Sequence, residues 1–421
     1  MTTGGCENRM HPITILMYCL SFLSLYLSIF WLSLLYIEEK TMKEKPEKID
    51  YFPKVSVILP AHNQEKIIAK VLRSVLSLDY PKDKLEVIAV NDDSTDRTGK
   101  IIEEIRKKDK RLKVIHRHPG FVGKAAAVNE GLKIATGELI GVLDGDDPST
   151  AKCALKLMVP YFKDKKLGAV MGAIKVWKPK KLIEKLQWFE YIFVTVMRRL
   201  LASLNALYVT PGGAFSLYRK SVLDKEGPFD ESSLTEDLEM AMRLQHKGYK
   251  IKLEIDCVNH TKVPDTLQGF HRQRVRWYRG WLHTVYKYRD MILNRKYGFL
   301  GMVQIPVSIF LPILLIFVTI FIISSLIKWA YDWIILTGLG IYPEFSFFKE
   351  VFTTPNIIIL TFTCTLILAG MYMLSRSQKI LQENWRYPLI IMPYFTLYQL
   401  LLSSYWLVAA SYEVLRIKKK W

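Results

Sequence analysis

The sequence predicts an α/β domain built on a mostly parallel sheet, accompanied by apolar helices of a kind that crosses membranes. From Lys54 onward, short apolar runs alternate with amphipathic stretches, which is typical of a parallel sheet with helices on both faces. No G-x-G-x-x-G follows any of the apolar runs, which argues against a dinucleotide dehydrogenase. Strands are expected at 55–59, 85–90, 114–116 and 139–143, and helices at 65–78, 95–107 and 124–135.

Four apolar stretches flank this domain, at 13–36, 299–326, 356–374 and 387–412. Each is long enough to cross a bilayer and is expected to be helical, because irregular backbone cannot face lipid. No small-residue cleavage site follows the first stretch, so an uncleaved anchor is favoured over a signal peptide. Pro306 and Pro312 predict a kink in the second stretch.

The basic segment between the first two apolar stretches is expected to lie in the cytoplasm, because Lys and Arg favour that side of a membrane. Four spans would then place both chain ends outside, whereas the basic residues from Arg416 to Lys420 favour the inside. Either one apolar segment is re-entrant or the last one is a broken hairpin, and the sequence leaves both alternatives open. The expected location is the cell membrane, as a multi-pass protein with a cytoplasmic catalytic domain.

The net charge of +19 does not indicate a nucleic-acid partner. The basic residues are scattered over helix faces and beside apolar segments, and no nucleic-acid module is present. Attraction to anionic lipid headgroups and to a diphosphate substrate explains the charge instead. The five cysteines show no paired or metal-ligand spacing, so neither a disulfide nor a zinc site is expected.

Polar residues follow the first strands, at the edge where parallel sheets bind ligands. The segments 60–65 and 91–96 both suit a helix-capping turn, but Asp92 in the second is also placed to accept the N–H of a uracil ring. Lys124 begins the third predicted helix, where its charge opposes the helix dipole. A nearby anion would explain this position, and a solvated surface lysine is the alternative.

Two acidic motifs come next. Asp144, Asp146 and Asp147 directly follow the fourth strand, and such oxygen ligands suit Mn²⁺ or Mg²⁺ bridging a diphosphate. An isolated D-x-D also occurs in ordinary surface turns. Glu236 and Asp237, after a threonine, precede an amphipathic helix. This second motif caps the helix, supplies the base that deprotonates a sugar hydroxyl, or does both.

A basic and aromatic stretch carries the motif Gln273-Arg274-Val275-Arg276-Trp277. Arginine holds a diphosphate with bidentate hydrogen bonds, and a flat tryptophan face suits a sugar ring. An amphipathic helix on a bilayer surface has the same composition, and we expect both roles together. Apolar residues at helical spacing predict a second interfacial helix at 182–204.

Taken in this order, the motifs resemble those of the processive, membrane-embedded family-2 glycosyltransferases, which include the cellulose, chitin, hyaluronan and poly-N-acetylglucosamine synthases. The similarity covers about 55–280 and the flanking apolar stretches. It implies a GT-A catalytic domain under a transmembrane channel that the growing polymer threads. The implied partners are a UDP-sugar donor, the growing glycan acceptor and the bilayer. Accessory subunits are compatible with the resemblance.

The resemblance also implies roles for individual residues. Asp92 would bind the uracil and Asp144 the uridine-phosphate part of the donor, whereas Asp146 would hold the Mn²⁺ or Mg²⁺ and Asp237 would be the general base. The predicted donor-binding residues are Ala61, Asn63, Glu65, Asp92, Lys124, Asp144, Gln273, Arg274 and Arg276. The predicted acceptor-binding residues are Gly212, Gly213, Ala214, Glu236 and Trp277.

The chain departs from the family pattern at His62, Gln64 and Asp93, where an aromatic residue, Glu and Gly are usual. These departures leave the details of base binding open. The compact spacing from 176 to 235 favours an amino-sugar polymer. The predicted domains are a transmembrane anchor at 1–37, the catalytic domain at 38–265, an interfacial helix with the Q-x-x-R-W motif at 266–298 and a transmembrane region at 299–421.

The expected reaction is a metal-dependent, inverting and processive transfer that polymerises a UDP-sugar, with UDP-N-acetylglucosamine as the best candidate. One alternative is a single transfer to a polyprenyl phosphate or another membrane lipid. A second is a non-catalytic partner subunit or nucleotide sensor, against which the intact carboxylates argue. The sequence leaves the sugar, the linkage and the number of C-terminal spans open.

Overall fold

The computed structural model describes residues 12–43, 51–117, 123–144, 149–209, 215–340, 354–384 and 386–417. They divide into two units. One unit comprises the residues up to 41 together with 320–384, and the other comprises 42–319 and the residues from 385 onward. The sheet and the polar motifs belong to the second unit.

The sheet has eight strands in the order β3-β2-β1-β4-β7-β6-β8-β5. The strands are β1 (Val55–Ala61), β2 (Leu85–Asp92), β3 (Leu112–Arg117), β4 (Leu139–Val142), β5 (Ser149–Thr150), β6 (Leu167–Val176), β7 (Ser216–Arg219) and β8 (Lys250–Thr261). Strand β1 pairs in parallel with β2 and β4, and β2 pairs in parallel with β3. Strand β7 is antiparallel to β4 and β6. The four predicted strands are confirmed, but the whole sheet is mixed. The antiparallel strands were not predicted, because apolar periodicity does not report strand direction.

The described helices include the three that the sequence predicts between the strands. In chain order they are α1 (Pro12–Glu38), α2 (Ile68–Leu76), α3 (Thr98–Arg106), α4 (Lys124–Ile134), α5 (Ala154–Met158), α6 (Leu182–Ser203), α7 (Lys220–Glu226), α8 (Glu236–His246), α9 (Leu267–Lys287), α10 (Ile305–Gly338), α11 (Thr354–Ile380), α12 (Ile391–Phe395) and α13 (Leu397–Val414). In α2, Val71, Leu72 and Val75 are fully buried, and each such side chain stabilises the fold by about 1.5–3 kcal/mol.

Two helical segments among the described residues are long and apolar enough to cross a membrane. They are Tyr18–Glu38 in α1 and Leu300–Gly338, which contains α10. In the first unit α1 packs against α11, with the rings of Phe22 and Phe362 in edge contact at 4.9 Å. The predicted stretch 356–374 lies within α11, whose membrane position stays a prediction.

The last predicted apolar stretch, 387–412, is helical but broken. A 3₁₀ turn at Pro388–Ile390 leads into the short helix α12, and Thr396 separates α12 from α13 with φ −116° and ψ −85°. Proline has no backbone N–H to donate, so Pro388 and Pro393 weaken a continuous helix here. The re-entrant segment and the broken hairpin stay alternatives, and the number of spans stays a prediction.

Helices α6 and α9 are the two predicted interfacial helices, and both are present as helices. Helix α6 packs on β6 and β8, and Phe189, Val196 and Leu200 on its inner face are fully buried. Helix α9 packs against α8 and α13. These contacts place the Q-x-x-R-W motif beside the start of α8, while contact of either helix with a bilayer remains a prediction.

Candidate active site

Lys124, Asp144 and Glu236 meet beyond the carboxyl ends of the parallel strands. Lys124 is the first residue of α4, Asp144 follows β4, and Glu236 is the first residue of α8. The Lys124 ammonium is paired with the Asp144 carboxylate and lies 3.3 Å from Glu236 Oε1. The anion that the sequence predicts beside Lys124 is thus supplied by the protein's own carboxylates.

Electrostatics keep this lysine charged. Burial acts to lower the pKa of Lys124, but the carboxylates of Asp144, Glu236 and Asp237 outweigh it and hold that pKa well above its ordinary value. Burial raises the pKa of Glu236, although Lys124 opposes the rise. One ammonium therefore faces three acidic side chains, and the cluster favours further positive charge.

The start of α8 carries the predicted base. Asp237 lies in the first turn, and its Oδ1 accepts a hydrogen bond from Leu238 N at 2.8 Å. Thr235 occupies the N-cap position without a capping hydrogen bond from its side chain. In the described structure its buried Oγ1 has no hydrogen-bond partner. The capping alternative is therefore not seen for Thr235, although the acidic first turn does complement the helix dipole.

The Q-x-x-R-W motif lies on α9 beside this turn. Arg276 Nη1 donates to Leu234 O at 3.3 Å, which holds the guanidinium near the T-E-D segment. Gln273 Oε1 is buried, and among the described residues it has no hydrogen-bond partner. A buried acceptor without a partner costs free energy, so Gln273 is suited to accept a hydrogen bond from a ligand.

Arg274 makes a different set of contacts from those predicted. Its Nη1 and Nη2 donate to the two carboxylate oxygens of Glu190 at 2.9 and 2.7 Å. Its guanidinium also lies 4.5 Å from the centre of the Trp277 ring. The ion pair thus occupies both terminal nitrogens that a donor diphosphate would need, and the structure does not show them free for the predicted donor contact.

These motifs share one cavity of about 540 Å³. Its charged lining includes Lys124, Asp144, Asp237 and Arg276. The aromatic part of the lining comprises Tyr191, Tyr208, Trp277, Tyr278, Trp281 and Trp406. The rings of Tyr278 and Trp406 are stacked 4.0 Å apart at 9°. Flat aromatic faces beside carboxylates suit a sugar, and Lys124 and Arg276 supply the positive charge that a phosphate needs.

Asp92 lies outside the cavity lining, at the end of β2. It is 2% exposed. Its Oδ1 accepts a hydrogen bond from Arg117 Nη1 at 2.6 Å, and its Oδ2 accepts one from Gly123 N at 3.3 Å. Sequence reasoning missed Arg117. The available signal was its position as a basic residue at the end of β3, the strand that pairs with β2. The uracil-binding role of Asp92 stays a prediction.

The remaining predicted donor residues after β1 hold two loops together. Asn63 has a left-handed φ of 51°, and its Oδ1 accepts a hydrogen bond from Thr95 N at 2.9 Å. Glu65 Oε2 accepts one from Arg97 N at 3.2 Å. Ala61 is buried at the end of β1. These contacts fix the edge of the sheet, and none of the three residues lines the cavity.

Four predicted site residues lie outside the described part of the chain. They are Asp146, Gly212, Gly213 and Ala214, and their roles stay predictions. Within the described residues, no group of three or more His, Cys, Asp or Glu side chains could hold a metal ion. Sequence reasoning also missed Glu190, Tyr208 and Trp406 of the cavity wall, which carry no local motif.

Gly280 allows α9 to approach the T-E-D segment closely. A Cβ at this position would lie 2.2 Å from Thr235 Oγ1 and 2.6 Å from Thr235 Cγ2. We expect Gly280→Ala to displace Thr235 and the first turn of α8, at a cost of about 1–3 kcal/mol for overpacking. The midpoint temperature of thermal unfolding should fall. Gly338→Ala, where a Cβ meets nothing within 4 Å, is the control, and equal stability of the two variants would contradict the prediction.

Sheet order, cavity and motifs together define a glycosyltransferase that uses an activated sugar. Residues 56–227 match glycosyl transferase family 2. The "Probable glycosyltransferase YdaM" of Bacillus subtilis (strain 168) is 32% identical over 287 residues, which are 64% of this chain and 68% of that protein. The chain belongs to glycosyltransferase family 2, and it is an enzyme of that class.

Two further comparisons extend over nearly the whole chain. The "Poly-beta-1,6-N-acetyl-D-glucosamine synthase" of Staphylococcus epidermidis is 28% identical over 417 residues, which are 97% of this chain and 95% of that protein. A solved structure of a mannosyltransferase from Pyrobaculum calidifontis, in complex with GDP-Man and Mn²⁺, superposes with a TM-score of 0.62. At 20% identity over 96% of this chain and 99% of that one, it supports the GT-A-like fold.

Proposed function

We propose that this protein polymerises UDP-N-acetylglucosamine into an exported β-linked polysaccharide by an inverting, processive and metal-dependent transfer. The observation that carries the proposal is the single cavity that Asp144, Asp237 and Trp277 line together. Donor phosphate, base and sugar ring can therefore meet in one space. The near full-length relative named as a poly-β-1,6-N-acetylglucosamine synthase supports the choice of sugar, and β-1,6 is the first linkage to test.

In the proposed reaction Asp237 accepts the proton of an acceptor hydroxyl. The hydroxyl oxygen forms a bond to the anomeric carbon from the face opposite UDP, while the bond from that carbon to the phosphate oxygen breaks and UDP departs with the electron pair. Arg276 and Lys124 stabilise the negative charge that develops on the diphosphate. No covalent sugar–enzyme intermediate is needed, and the configuration at the anomeric carbon inverts.

Mn²⁺ or Mg²⁺ is the proposed cofactor, and Asp144 is the described residue of the D-x-D motif whose carboxylate oxygens suit such a hard cation. Asp144 supplies carboxylate oxygens beside the parallel strands, and a single lysine faces three acidic groups there. Asp146 would hold the ion while Asp144 contacts the uridine-phosphate. When bound, such an ion withdraws charge from the departing UDP.

Membrane attachment is part of the proposal. The apolar segments Tyr18–Glu38 and Leu300–Gly338 support it, as does the basic character of the chain between them. We place the catalytic domain in the cytoplasm and propose that the predicted apolar stretches cross the membrane several times. The proposed domain bounds are those predicted from the sequence. Export of the glycan and any accessory subunits belong to the same proposal.

Product analysis tests this function directly. The purified full chain in detergent or vesicles is incubated with each UDP-sugar in turn, with and without Mn²⁺, and the product is examined by mass and glycosidase digestion. A polymer from UDP-N-acetylglucosamine alone supports the proposal. A lipid carrying one sugar would favour single transfer, and absence of UDP release from every donor would favour a nucleotide sensor.

Arg276 and Trp277 should separate donor from acceptor binding. Arg276→Ala should lower UDP affinity by about tenfold or more, because hydrogen bonds to charged groups contribute about 1.5–3 kcal/mol. Trp277→Ala should leave UDP affinity within a few-fold but strongly reduce polymer yield, since an aromatic platform contributes about 1–3 kcal/mol by analogy with base stacking. Calorimetry with UDP and polymer yield measure the two effects.

Arg272→Ala is the control for this pair, because Arg272 is exposed on the same helix. It should change neither UDP affinity nor yield. Loss of UDP affinity in Trp277→Ala as large as that in Arg276→Ala would rule out the acceptor platform and leave α9 as a structural helix.

A further inference from the structure

Glu190 joins three helices that are far apart in the chain. It lies on α6 and accepts both terminal guanidinium donors of Arg274 on α9, at 2.9 and 2.7 Å. Tyr398 Oη of α13 donates to Glu190 Oε2 at 2.6 Å. Glu190, Arg274 and Tyr398 all belong to the second structural unit. A single carboxylate thus receives charge-assisted hydrogen bonds from one helix and a hydroxyl from another.

The burial of this group makes the ion pair energetically important. The side chains of Arg274 and Glu190 are 4% and 15% exposed. Burial acts to lower the pKa of Arg274, but the Glu190 carboxylate outweighs it and raises that pKa. Loss of one partner of a buried pair leaves an uncompensated charge, so the position of Arg274 depends on the Glu190 side chain that holds it.

Arg274 in turn fixes the ring of Trp277. Its guanidinium lies over two rings of α9, 4.7 Å from the Phe270 centroid and 4.5 Å from the Trp277 centroid. Cations over aromatic faces are attracted to them, and residues three or four positions apart share one face of a helix. A guanidinium anchored by Glu190 therefore restricts the orientation that Trp277 presents to the cavity.

We infer that Glu190 is a positioning residue for the acceptor: through Arg274 it sets the orientation of Trp277 against the sugar at the growing end of the glycan. The inference rests on the proposed function, because it needs a glycan acceptor. Glu190 and Arg274 both line the cavity, so their geometry is part of the cavity wall. In this arrangement only Arg276 of the two motif arginines remains for the donor.

Two measurements separate effects on acceptor binding from effects on donor binding. Initial rates are measured against a β-1,6-linked N-acetylglucosamine pentasaccharide at saturating UDP-N-acetylglucosamine, and UDP affinity is measured by calorimetry. Glu190→Gln should raise the acceptor KM about tenfold and leave UDP affinity within twofold. Glu190→Asp, which keeps the charge, should recover part of the loss. Glu130→Gln, a surface carboxylate paired with Lys133, is the control and should behave as wild type.

A double mutant distinguishes positioning from general stability. If Glu190 acts through Trp277, then Glu190→Gln should change the acceptor KM by less than twofold in a Trp277→Ala background. Tyr398→Phe, which removes only the hydroxyl donor, gives a milder second test and should raise the acceptor KM in the same direction. It also decides the question should Glu190→Gln fail to fold.

Three results would overturn the inference: equal loss of UDP and acceptor binding in Glu190→Gln, an undiminished effect in the Trp277→Ala background, or a wild-type acceptor KM in Tyr398→Phe. Failure of the proposed function looks different, because the wild-type protein would then not extend the pentasaccharide at all. In that case UDP affinity and the other UDP-sugars show whether donor binding survives.

Discussion

Asp237→Asn is expected to abolish sugar transfer while UDP affinity stays within a few-fold. Asparagine has nearly the same shape, and its Oδ1 can still accept the Leu238 N–H that Asp237 accepts at 2.8 Å. It cannot take up a proton at neutral pH, and a positioned general base contributes about 10²–10⁴ in rate. Initial rates of UDP release with acceptor, together with UDP calorimetry, measure both quantities.

A surface substitution of the same kind is the control for this variant. Asp224→Asn removes a carboxylate on α7 that is 61% exposed and paired with Lys220, so activity should remain at the wild-type level. Asp237 is excluded as the base if its variant keeps near-normal turnover. A parallel loss of UDP affinity would instead assign Asp237 to the donor.

Lys124→Met should weaken donor binding more than any other single change on α4. The variant keeps an unbranched side chain, one atom shorter, but removes the ammonium that is paired with Asp144 and lies 3.3 Å from Glu236. A diphosphate entering the site would then face unbalanced carboxylates. We expect UDP affinity to fall about tenfold or more, because hydrogen bonds to charged groups contribute about 1.5–3 kcal/mol.

Lys133→Met on the same helix provides the matched comparison, because Lys133 is 68% exposed and paired only locally with Glu130. UDP calorimetry and thermal unfolding should show wild-type behaviour for Lys133→Met and losses for Lys124→Met. Equal UDP affinities of the two variants would show that the Lys124 ammonium neutralises the protein's own carboxylates and does not bind the donor.

The elements of the first half of the sheet were predictable because their signals are local. Apolar runs marked β1, β2 and β4, and the charge of Lys124 at a helix start predicted an anion nearby, which Asp144 and Glu236 supply. The motifs also predicted that Asp237 and Trp277 belong to one site, and both line one cavity.

Contacts between distant segments could not be predicted in the same way. Glu190 and Arg274 are 84 positions apart and Glu190 and Tyr398 are 208 apart, and nothing in the spacing of either pair links them. The direction of β7 is likewise fixed by tertiary packing, because strand direction leaves no trace in apolar periodicity. Arg276 holds the arginine position of Q-x-x-R-W and Arg274 a variable one, but the pairing of Arg274 with Glu190 is visible only in the structure.

The stacking of Tyr278 on Trp406 has a consequence for biosynthesis. A ribosome synthesises the sheet, α8 and α9 well before it reaches α13, so the carboxylates and Arg276 exist while part of the cavity wall is still unmade. A nascent or truncated chain is therefore expected to bind nucleotide without holding a glycan. The cavity wall is complete only when Trp406 has been synthesised. Activated sugar would therefore not be consumed until the C-terminal helices have been made.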